Sequence, residues 1–218
     1  MKLTEAREQL AAYGRKMSLE GLSTGTSGNL SIYSPEEGLM AITPSGLDYL
    51  SMTPEDIVVT DLEAHVVEGN WKPSSEWALH TLFYKRHPEA RAVVHTHSIY
   101  CTTLAVLGQP LRAVHYAIAA ARVAEIPCAP YCLFGTEELA KQAVETCGTG
   151  RAVLLGNHGM VAWGESLPKA YALAQDMEFA AELQWRAAAV GTPRVLTEEE
   201  MAAAMKRYET YGQPKKND

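Results

Sequence analysis

The chain has 218 residues, of which 47 % are hydrophobic, a composition typical of one globular domain with a full apolar core. Its formal net charge of −7 argues against a nucleic-acid or anionic-membrane surface, but not against a small anionic ligand, because backbone N–H groups can hold a phosphate. The N-terminal stretch MKLTEAREQL is charged and amphipathic, and the apolar runs are too short to cross a bilayer, so we expect a cytoplasmic protein with no membrane or nucleic-acid partner.

The first half of the chain predicts a helix, a group of strands, and then a helix–strand–helix segment. Apolar residues at helical spacing predict a helix over residues 4–20, which the glycine-rich stretch GLSTGTSGN ends. Short alternating runs predict four strands, in NLSIYS, GLMAITPSG, DIVVTD and AHVVEG. A helix follows in KPSSEWALHTLFYKRH, with Ser74 or Ser75 as the expected N-cap. ARAVVHTH then predicts a buried strand, and SIYCTTLAVLG a helix that ends at Gly108.

The second half predicts three more helices and a strand pair. Residues 110–135 have no clear period and are interpreted as mixed strand and loop. TEELAKQAVETCG predicts a helix, and RAVLLGNHGMVAWG two short strands around a tight turn. A long helix follows with Pro168 in its first turn, and the last helix opens with a capping box of Thr197 and Glu200. Because strands outnumber a simple βαβ alternation, we expect a single α/β domain with a mainly antiparallel sheet and helices on its faces.

Two histidines one residue apart, His95 and His97, end the run RAVVHTH. Alternate side chains of a strand point to the same side, so both imidazoles can bind one metal ion. His158 is the best third ligand, because it lies in the glycine-flanked turn GNHGM directly after a buried strand. The spacing alone leaves two interpretations open, a metal site and an ordinary hydrogen-bonded pair.

The stretch PSSEW places Glu76 beside two serines at a predicted helix N-terminus. Free N–H groups and serine hydroxyls at such a point can hold a phosphate, and a nearby carboxylate can act as a base. Ordinary helix capping explains Ser75 equally well, and a favourable first-turn acid explains Glu76. The turns GTSGN and TPSG supply further N–H donors of the kind that an anion pocket needs, provided that the fold places them around one ligand.

Several motifs together resemble those of the class II aldolase family. They occur in the family's order and spacing over nearly the whole chain: GTSGN, TPSG, PSSEW, VVHTH, HYAIAAA, IPCAPY, FGTEEL, LLGNHG and YETYG. The family includes ketose-1-phosphate aldolases, ribulose-5-phosphate 4-epimerase and the adducin head. The resemblance implies α/β/α layers around a mainly antiparallel sheet. It also implies a four-fold symmetric homotetramer with active sites at subunit interfaces, and a mobile tail over residues 208–218.

The resemblance also implies roles for individual residues. It implies one Zn²⁺ per subunit, bound by His95, His97 and His158, although imidazoles also accept other divalent metals. Glu76 is implied as the acid–base residue, and as a further metal ligand when no substrate is present. The implied phosphate-binding residues are Gly28, Asn29, Ser45, Gly46, Ser74 and Ser75. Two implied catalytic tyrosines are Tyr116, from a neighbouring subunit, and Tyr211, from the tail.

The implied reaction is the reversible cleavage of a sugar phosphate, most closely L-fuculose 1-phosphate, to dihydroxyacetone phosphate and L-lactaldehyde through an enediolate. Four alternatives remain open. An aldolase for 5-deoxypentulose 1-phosphates and a dehydratase acting on methylthioribulose phosphate share the site. Ribulose-5-phosphate 4-epimerase typically has aspartate where this chain has Glu76. An adducin-like scaffold lacks the metal ligands, all of which are present here.

Overall fold

The short alternating stretches form one eight-stranded sheet in the computed structural model, which describes residues 1–210. The strands are β1 (Asn29–Ser34), β2 (Leu39–Ile42), β3 (Val58–Thr60), β4 (Val66–Glu68), β5 (Ala92–Thr96), β6 (Cys128–Ala129), β7 (Ala152–Leu155) and β8 (Gly159–Gly164). Their order in the sheet is β4-β3-β2-β1-β5-β8-β7-β6. Only β6 and β7 pair in parallel, and the other pairs are antiparallel. The prediction of a mainly antiparallel central sheet is therefore confirmed.

The helices pack on both faces of this sheet. They are α1 (Thr4–Leu19), α2 (Trp77–Arg86), α3 (Ile99–Val106), α4 (Glu137–Cys147), α5 (Leu167–Val190) and α6 (Glu198–Tyr208). Residues of α1, α3, α5 and α6 share one apolar core with Val94, whereas α2 and α4 share the other with Val93. Each fully buried aliphatic side chain in these cores stabilises the fold by about 1.5–3 kcal/mol. The predicted α/β/α layers are thus confirmed. None of the described helices is both long and apolar enough to cross a membrane.

Strand β5 lies in the middle of the sheet and carries His95, one of the predicted metal ligands. Its five residues are all buried, and it pairs with β1 on one side and β8 on the other. This register places Asn29 opposite His95 and Met160 opposite Thr96. Gly28 makes the approach to β5 feasible, because its φ is +73° and a Cβ atom there would lie 2.8 Å from the His95 carbonyl oxygen.

The N-terminus of α2 differs from the prediction. The helix begins at Trp77, and Glu76 occupies the N-cap position without capping the helix through its side chain. The Ser74 hydroxyl accepts a hydrogen bond from the Glu76 N–H at 3.2 Å, so the serine supports the turn that precedes the helix. The expected serine N-cap is therefore wrong. The Glu76 carboxylate is free to point away from the helix, into the interior of the protein.

Residues 110–135 form the mixture of loop and short strand that was expected, with one element that was not. A 3-10 helix over Tyr116–Ala121 interrupts the loop, and the His115 side chain accepts a hydrogen bond from the Ala117 N–H at its start. The stretch YAIAAA is apolar throughout, so it has no separate apolar and polar faces. Its pattern therefore did not indicate a helix. The strand in this region is only β6.

Candidate metal centre

The candidate site lies where β1, β5 and β8 meet the start of α2. His95 lies on β5, and His97 follows two residues later, just past the end of the strand. His158 lies in the turn before β8, and Glu76 precedes α2. One ligand atom from each of these four residues lies within 4.8 Å of the others. The fold therefore brings together all the residues that the sequence indicated as metal ligands.

The distances between the ligand atoms fit one metal ion. The His95 Nε2 atom lies 3.0 Å from His97 Nε2 and 3.1 Å from Glu76 Oε2. His158 Nε2 lies 3.3 Å from Glu76 Oε1. Two ligand atoms bound to a tetrahedral zinc ion at 2.0–2.1 Å lie about 3.3 Å apart. The cluster could therefore hold a divalent cation with little movement of its side chains.

The ring orientation of His95 also suits a metal ligand. Its Nδ1 atom lies 3.0 Å from the carbonyl oxygen of Met160 on the neighbouring strand. A carbonyl group can only accept, so Nδ1 carries the hydrogen and donates it. The lone pair of the neutral ring is then on Nε2, which faces His97 and Glu76. A backbone carbonyl that fixes the tautomer in this way is a common partner of metal-binding histidines.

Burial and mutual repulsion keep two of the imidazoles neutral. The pKa of His97 is lowered to about 3 and that of His158 to about 4, first by burial and then by the nearby His95. Burial would raise the pKa of Glu76, but His95 beside it holds that pKa well below its usual value. Burial would lower the pKa of His95, but Glu76 beside it raises that pKa. At neutral pH the cluster thus contains a carboxylate and two imidazoles with free lone pairs, at His97 and His158. A divalent cation that binds all three histidines displaces any proton on His95 Nε2.

A cavity of about 320 Å³ opens beside the cluster, and Glu76, His97 and His158 lie in its wall. The rest of the wall includes every residue that was predicted to bind phosphate: Gly28, Asn29, Ser45, Gly46, Ser74 and Ser75. Gly28 and Gly46 have positive φ angles, a conformation that lets short turns present their backbone to a ligand. The structure therefore places the cluster and the glycine–serine turns around one space.

Seven further residues of the cavity wall were not predicted as site residues. Thr26 and Ser27 belong to the GTSGN turn, Pro44 belongs to the TPSG turn, and Asn157 precedes His158. The remaining three form an aromatic and sulfur-containing loop: Tyr131, Cys132 and Phe134. Phe134 is 64 % exposed, and its neighbours Tyr131 and Leu133 are exposed as well, so the loop presents a group of large apolar side chains at the surface. In the sequence, the signal that could have indicated this part of the wall was a pair of aromatic residues in a short loop bounded by Pro130 and Gly135.

Tyr116, one of the two predicted catalytic tyrosines, does not line this cavity. Tyr116 is 59 % exposed and packs against His115, with 4.4 Å between the ring centroids. It is not part of the cavity wall within residues 1–210 of this chain. Tyr211 lies outside the described residues. A role for Tyr116 thus requires a second copy of the chain, which is how its role was expected.

Comparison with known proteins agrees with this geometry. The model of the class II aldolase and adducin N-terminal domain matches residues 8–185. The 5-deoxy-D-ribulose 1-phosphate aldolase of Bacillus thuringiensis serovar kurstaki is 45% identical, over 98% of this chain and 100% of its own length. The L-fuculose phosphate aldolase of Escherichia coli K12 is 40% identical over 90% of this chain and 91% of its own. A solved structure of L-fuculose 1-phosphate aldolase superposes with a TM-score of 0.93 at 40% identity, covering 96% of this chain and 98% of that protein. The chain belongs to the class II aldolase and adducin family.

Proposed function

We propose that this protein is a metal-dependent aldolase that reversibly cleaves a ketose 1-phosphate to dihydroxyacetone phosphate and an aldehyde. One observation supports this function above others. The cluster of imidazoles and a carboxylate shares a cavity with glycine and serine turns that can hold a phosphate. A ketose 1-phosphate needs both features, because its phosphate and its reactive carbonyl are close together. A non-catalytic, adducin-like scaffold does not require metal ligands, so that alternative does not explain the cluster.

The phosphate pocket combines two kinds of donor. Ser74 and Ser75 precede α2, and both contribute to the cavity wall, where their hydroxyl groups can contact a phosphate. The turn at Ser45 and Gly46 lies beside this segment, because Pro44 pairs with Pro73, and it contributes its backbone to the same cavity wall. These groups can bind a phosphate dianion, although residues 1–210 place no lysine or arginine in the wall. They fix the substrate with its carbonyl toward the histidines.

The metal in this proposal is zinc. Three imidazoles with one carboxylate form a donor set that zinc commonly binds, although cobalt, nickel and manganese accept the same ligands. A bound divalent cation supplies a Lewis acid, which polarises the substrate carbonyl and stabilises the negative charge that develops as the carbon–carbon bond breaks.

Glu76 is the acid–base residue of the proposed reaction. Its carboxylate is buried in the cavity wall and ionised at neutral pH. In the synthetic direction it removes a proton from the hydroxymethyl carbon of dihydroxyacetone phosphate, and in cleavage it returns that proton to the same carbon. Its position beside the cluster keeps the proton close to the charge that the cation stabilises.

Two substrates fit this reaction and differ by one hydroxymethylene group. Cleavage of 5-deoxy-D-ribulose 1-phosphate gives acetaldehyde, and cleavage of L-fuculose 1-phosphate gives L-lactaldehyde. The 5-deoxy-D-ribulose 1-phosphate aldolase at 45% identity supports the first substrate, and the L-fuculose phosphate aldolase of Escherichia coli K12 at 40% supports the second, which was the original expectation. The mainly apolar wall of Tyr131, Cys132 and Phe134 favours the smaller and less polar aldehyde. We therefore propose 5-deoxyribulose 1-phosphate as the first candidate.

A condensation assay separates the two substrates. With dihydroxyacetone phosphate held constant, we expect a higher kcat/KM for acetaldehyde than for L-lactaldehyde, because the apolar wall offers little to the extra hydroxyl. NMR of the products gives both rate and stereochemistry. A higher kcat/KM for L-lactaldehyde reverses the choice in favour of L-fuculose 1-phosphate. The absence of condensation with either aldehyde contradicts the aldolase function itself.

The proposal includes a homotetramer in which Tyr116 of one subunit serves the site of the next. Equal amounts of the inactive variants Tyr116→Phe and Glu76→Gln, unfolded and reassembled together, are expected to regain activity. If the chains mix at random in a ring, roughly a quarter of the sites combine an intact Glu76 with an intact Tyr116 from its neighbour. Sedimentation verifies the tetramer. Mixed tetramers without regained activity would place Tyr116 outside the reaction of the neighbouring site.

A further inference from the structure

A row of buried polar side chains runs from Glu76 into the interior, between α2 and β1. Glu76 at the N-cap of α2 and the helix residues His80 and Tyr84 are four apart, and they face strand residues Asn29 and Ser31, which are two apart. Four residues span about 6 Å along a helix, and two residues span about 6.8 Å along a strand. Successive members of the two series therefore remain beside one another. At most 6% of any of these five residues is exposed. Glu76 and Asn29 line the cavity, whereas Ser31, His80 and Tyr84 lie deeper and need protein partners for their polar atoms.

Each member of the row contacts the next. Asn29 Nδ2 donates to Glu76 Oε2 at 2.9 Å, and Asn29 Oδ1 contacts His80 Nε2. On the other side of the imidazole ring, His80 Nδ1 lies 2.6 Å from Ser31 Oγ. The Ser31 Oγ atom also lies 2.6 Å from the Tyr84 hydroxyl. The result is one continuous chain of hydrogen bonds that ends on the carboxylate.

The Glu76 carboxylate at the end of this row determines which atom donates and which accepts in each hydrogen bond. An ionised carboxylate can only accept, so Asn29 presents its NH₂ group to Glu76. Its oxygen then faces His80, whose Nε2 atom must carry the hydrogen. A neutral ring protonated on Nε2 has a lone pair on Nδ1, which accepts from the Ser31 hydroxyl, and Ser31 in turn accepts from Tyr84. Burial, followed by His95, lowers the pKa of His80 to about 3, which is consistent with a neutral ring.

We propose that His80 is a positioning residue, whose Nε2–H fixes the Asn29 amide so that it holds Glu76 Oε2 and leaves Oε1 as the atom that exchanges the proton with substrate. The Oε1 atom is buried without a hydrogen-bond partner among the described residues, and it lies 3.3 Å from His158 Nε2. A proton on Oε2 would face the Asn29 N–H and lose that bond, whereas a proton on Oε1 meets no such conflict. The role of Oε1 rests on the proposed aldolase function, but the tautomer of His80 does not.

Without His80, either orientation of the Asn29 amide becomes feasible. One of them turns Oδ1 toward the Glu76 carboxylate, where two acceptors face each other with no hydrogen between them. The hydroxymethyl carbon of dihydroxyacetone phosphate can exchange its hydrogen with solvent without any aldehyde. We expect the rate of this exchange to fall by about 10- to 100-fold in His80→Leu. The metal content and the Kd for dihydroxyacetone phosphate should change little. His80→Gln, which keeps an N–H near the position of Nε2, should restore most of the exchange rate.

Two controls separate positioning from stability. Thr81→Val alters a buried hydroxyl of the same helix that donates to the Ala78 carbonyl, away from the hydrogen-bonded row, and we expect the variant to exchange like the wild type. In an Asn29→Ala background, His80→Leu should cause no further loss of exchange, since the residue through which it acts is absent. An equal loss in both backgrounds would overturn the proposal, and so would an His80→Leu variant that exchanges normally.

The His80 tautomer can be measured without any reaction. Long-range ¹H–¹⁵N NMR of the zinc-loaded, ¹⁵N-histidine-labelled protein distinguishes the ring nitrogens, and the signals absent from His80→Gln belong to this residue. We expect a hydrogen on Nε2 and none on Nδ1. A hydrogen on Nδ1 overturns the assigned direction of the chain. A wild type that exchanges no hydrogen overturns the aldolase function and the role of Oε1 together, while the tautomer still decides the amide orientation.

Discussion

Glu76→Gln should remain folded and metal-bound, yet lose hydrogen exchange at the carbon of dihydroxyacetone phosphate by about 10²- to 10⁴-fold, the usual contribution of a general base. Glutamine keeps the shape of the side chain and can still bond to Asn29, but it cannot accept a proton at neutral pH. The three imidazoles remain to hold the metal. Deuterium uptake from heavy water, followed by NMR, measures this step directly.

The matched control for this variant is Glu63→Gln. Glu63 is an exposed carboxylate whose 3.2 Å ion pair with Lys85 lies at the surface, so its loss should leave exchange unchanged. If Glu76→Gln exchanges near the wild-type rate while it retains its metal, Glu76 is only an acid at the start of a helix. The reaction would then need a different base.

His97→Ala and His158→Ala are each expected to lose tight metal binding, and with it condensation activity. Removal of an outer-shell partner typically costs about 10- to 100-fold in metal affinity, so removal of a direct ligand should cost more. Neither residue is part of an apolar core, and we expect both variants to keep the fold. Metal analysis after dialysis against a chelator gives the occupancy, and circular dichroism verifies the fold.

His65→Ala serves as the control for metal loss. The His65 side chain is 80% exposed and pairs with Asp61 on the surface, so its removal should leave the metal content unchanged. Full occupancy in His97→Ala or in His158→Ala would remove that residue from the ligand set. Occupancy lost in His65→Ala as well would point to adventitious surface binding.

The pattern of apolar residues was sufficient to predict most of the fold. The strand β1 and the hairpin of β7 and β8 match the predicted stretches, because alternation and glycine turns are local properties. The N-cap of α2 was predicted wrongly for a reason outside the helix. The Glu76 side chain makes its bonds to Asn29, on another strand, and no local pattern carries that information. Tertiary contacts decided this helix end.

The candidate metal ligands could be predicted from the sequence more easily than the row of hydrogen-bonded residues behind them. His95 and His97 form a local spacing, and His158 has a distinctive turn, so they could be singled out. His80 has the same residue type but lies in an ordinary helical stretch. Its importance depends on the register between α2 and β1, which only the folded chain defines. The spacing of Glu76, His80 and Tyr84 was the sole hint.

The central place of β5 has a consequence for how the protein is made. Its sheet neighbours β1 and β8 lie far before and far after it in the chain, so pairings of large sequence separation must form before the site exists. A nascent chain that has emerged only through α4 contains Glu76, His95 and His97 but lacks the hairpin that carries His158. Such a chain has no complete ligand set. The proposed metal site is therefore completed in the same late step that completes the central sheet.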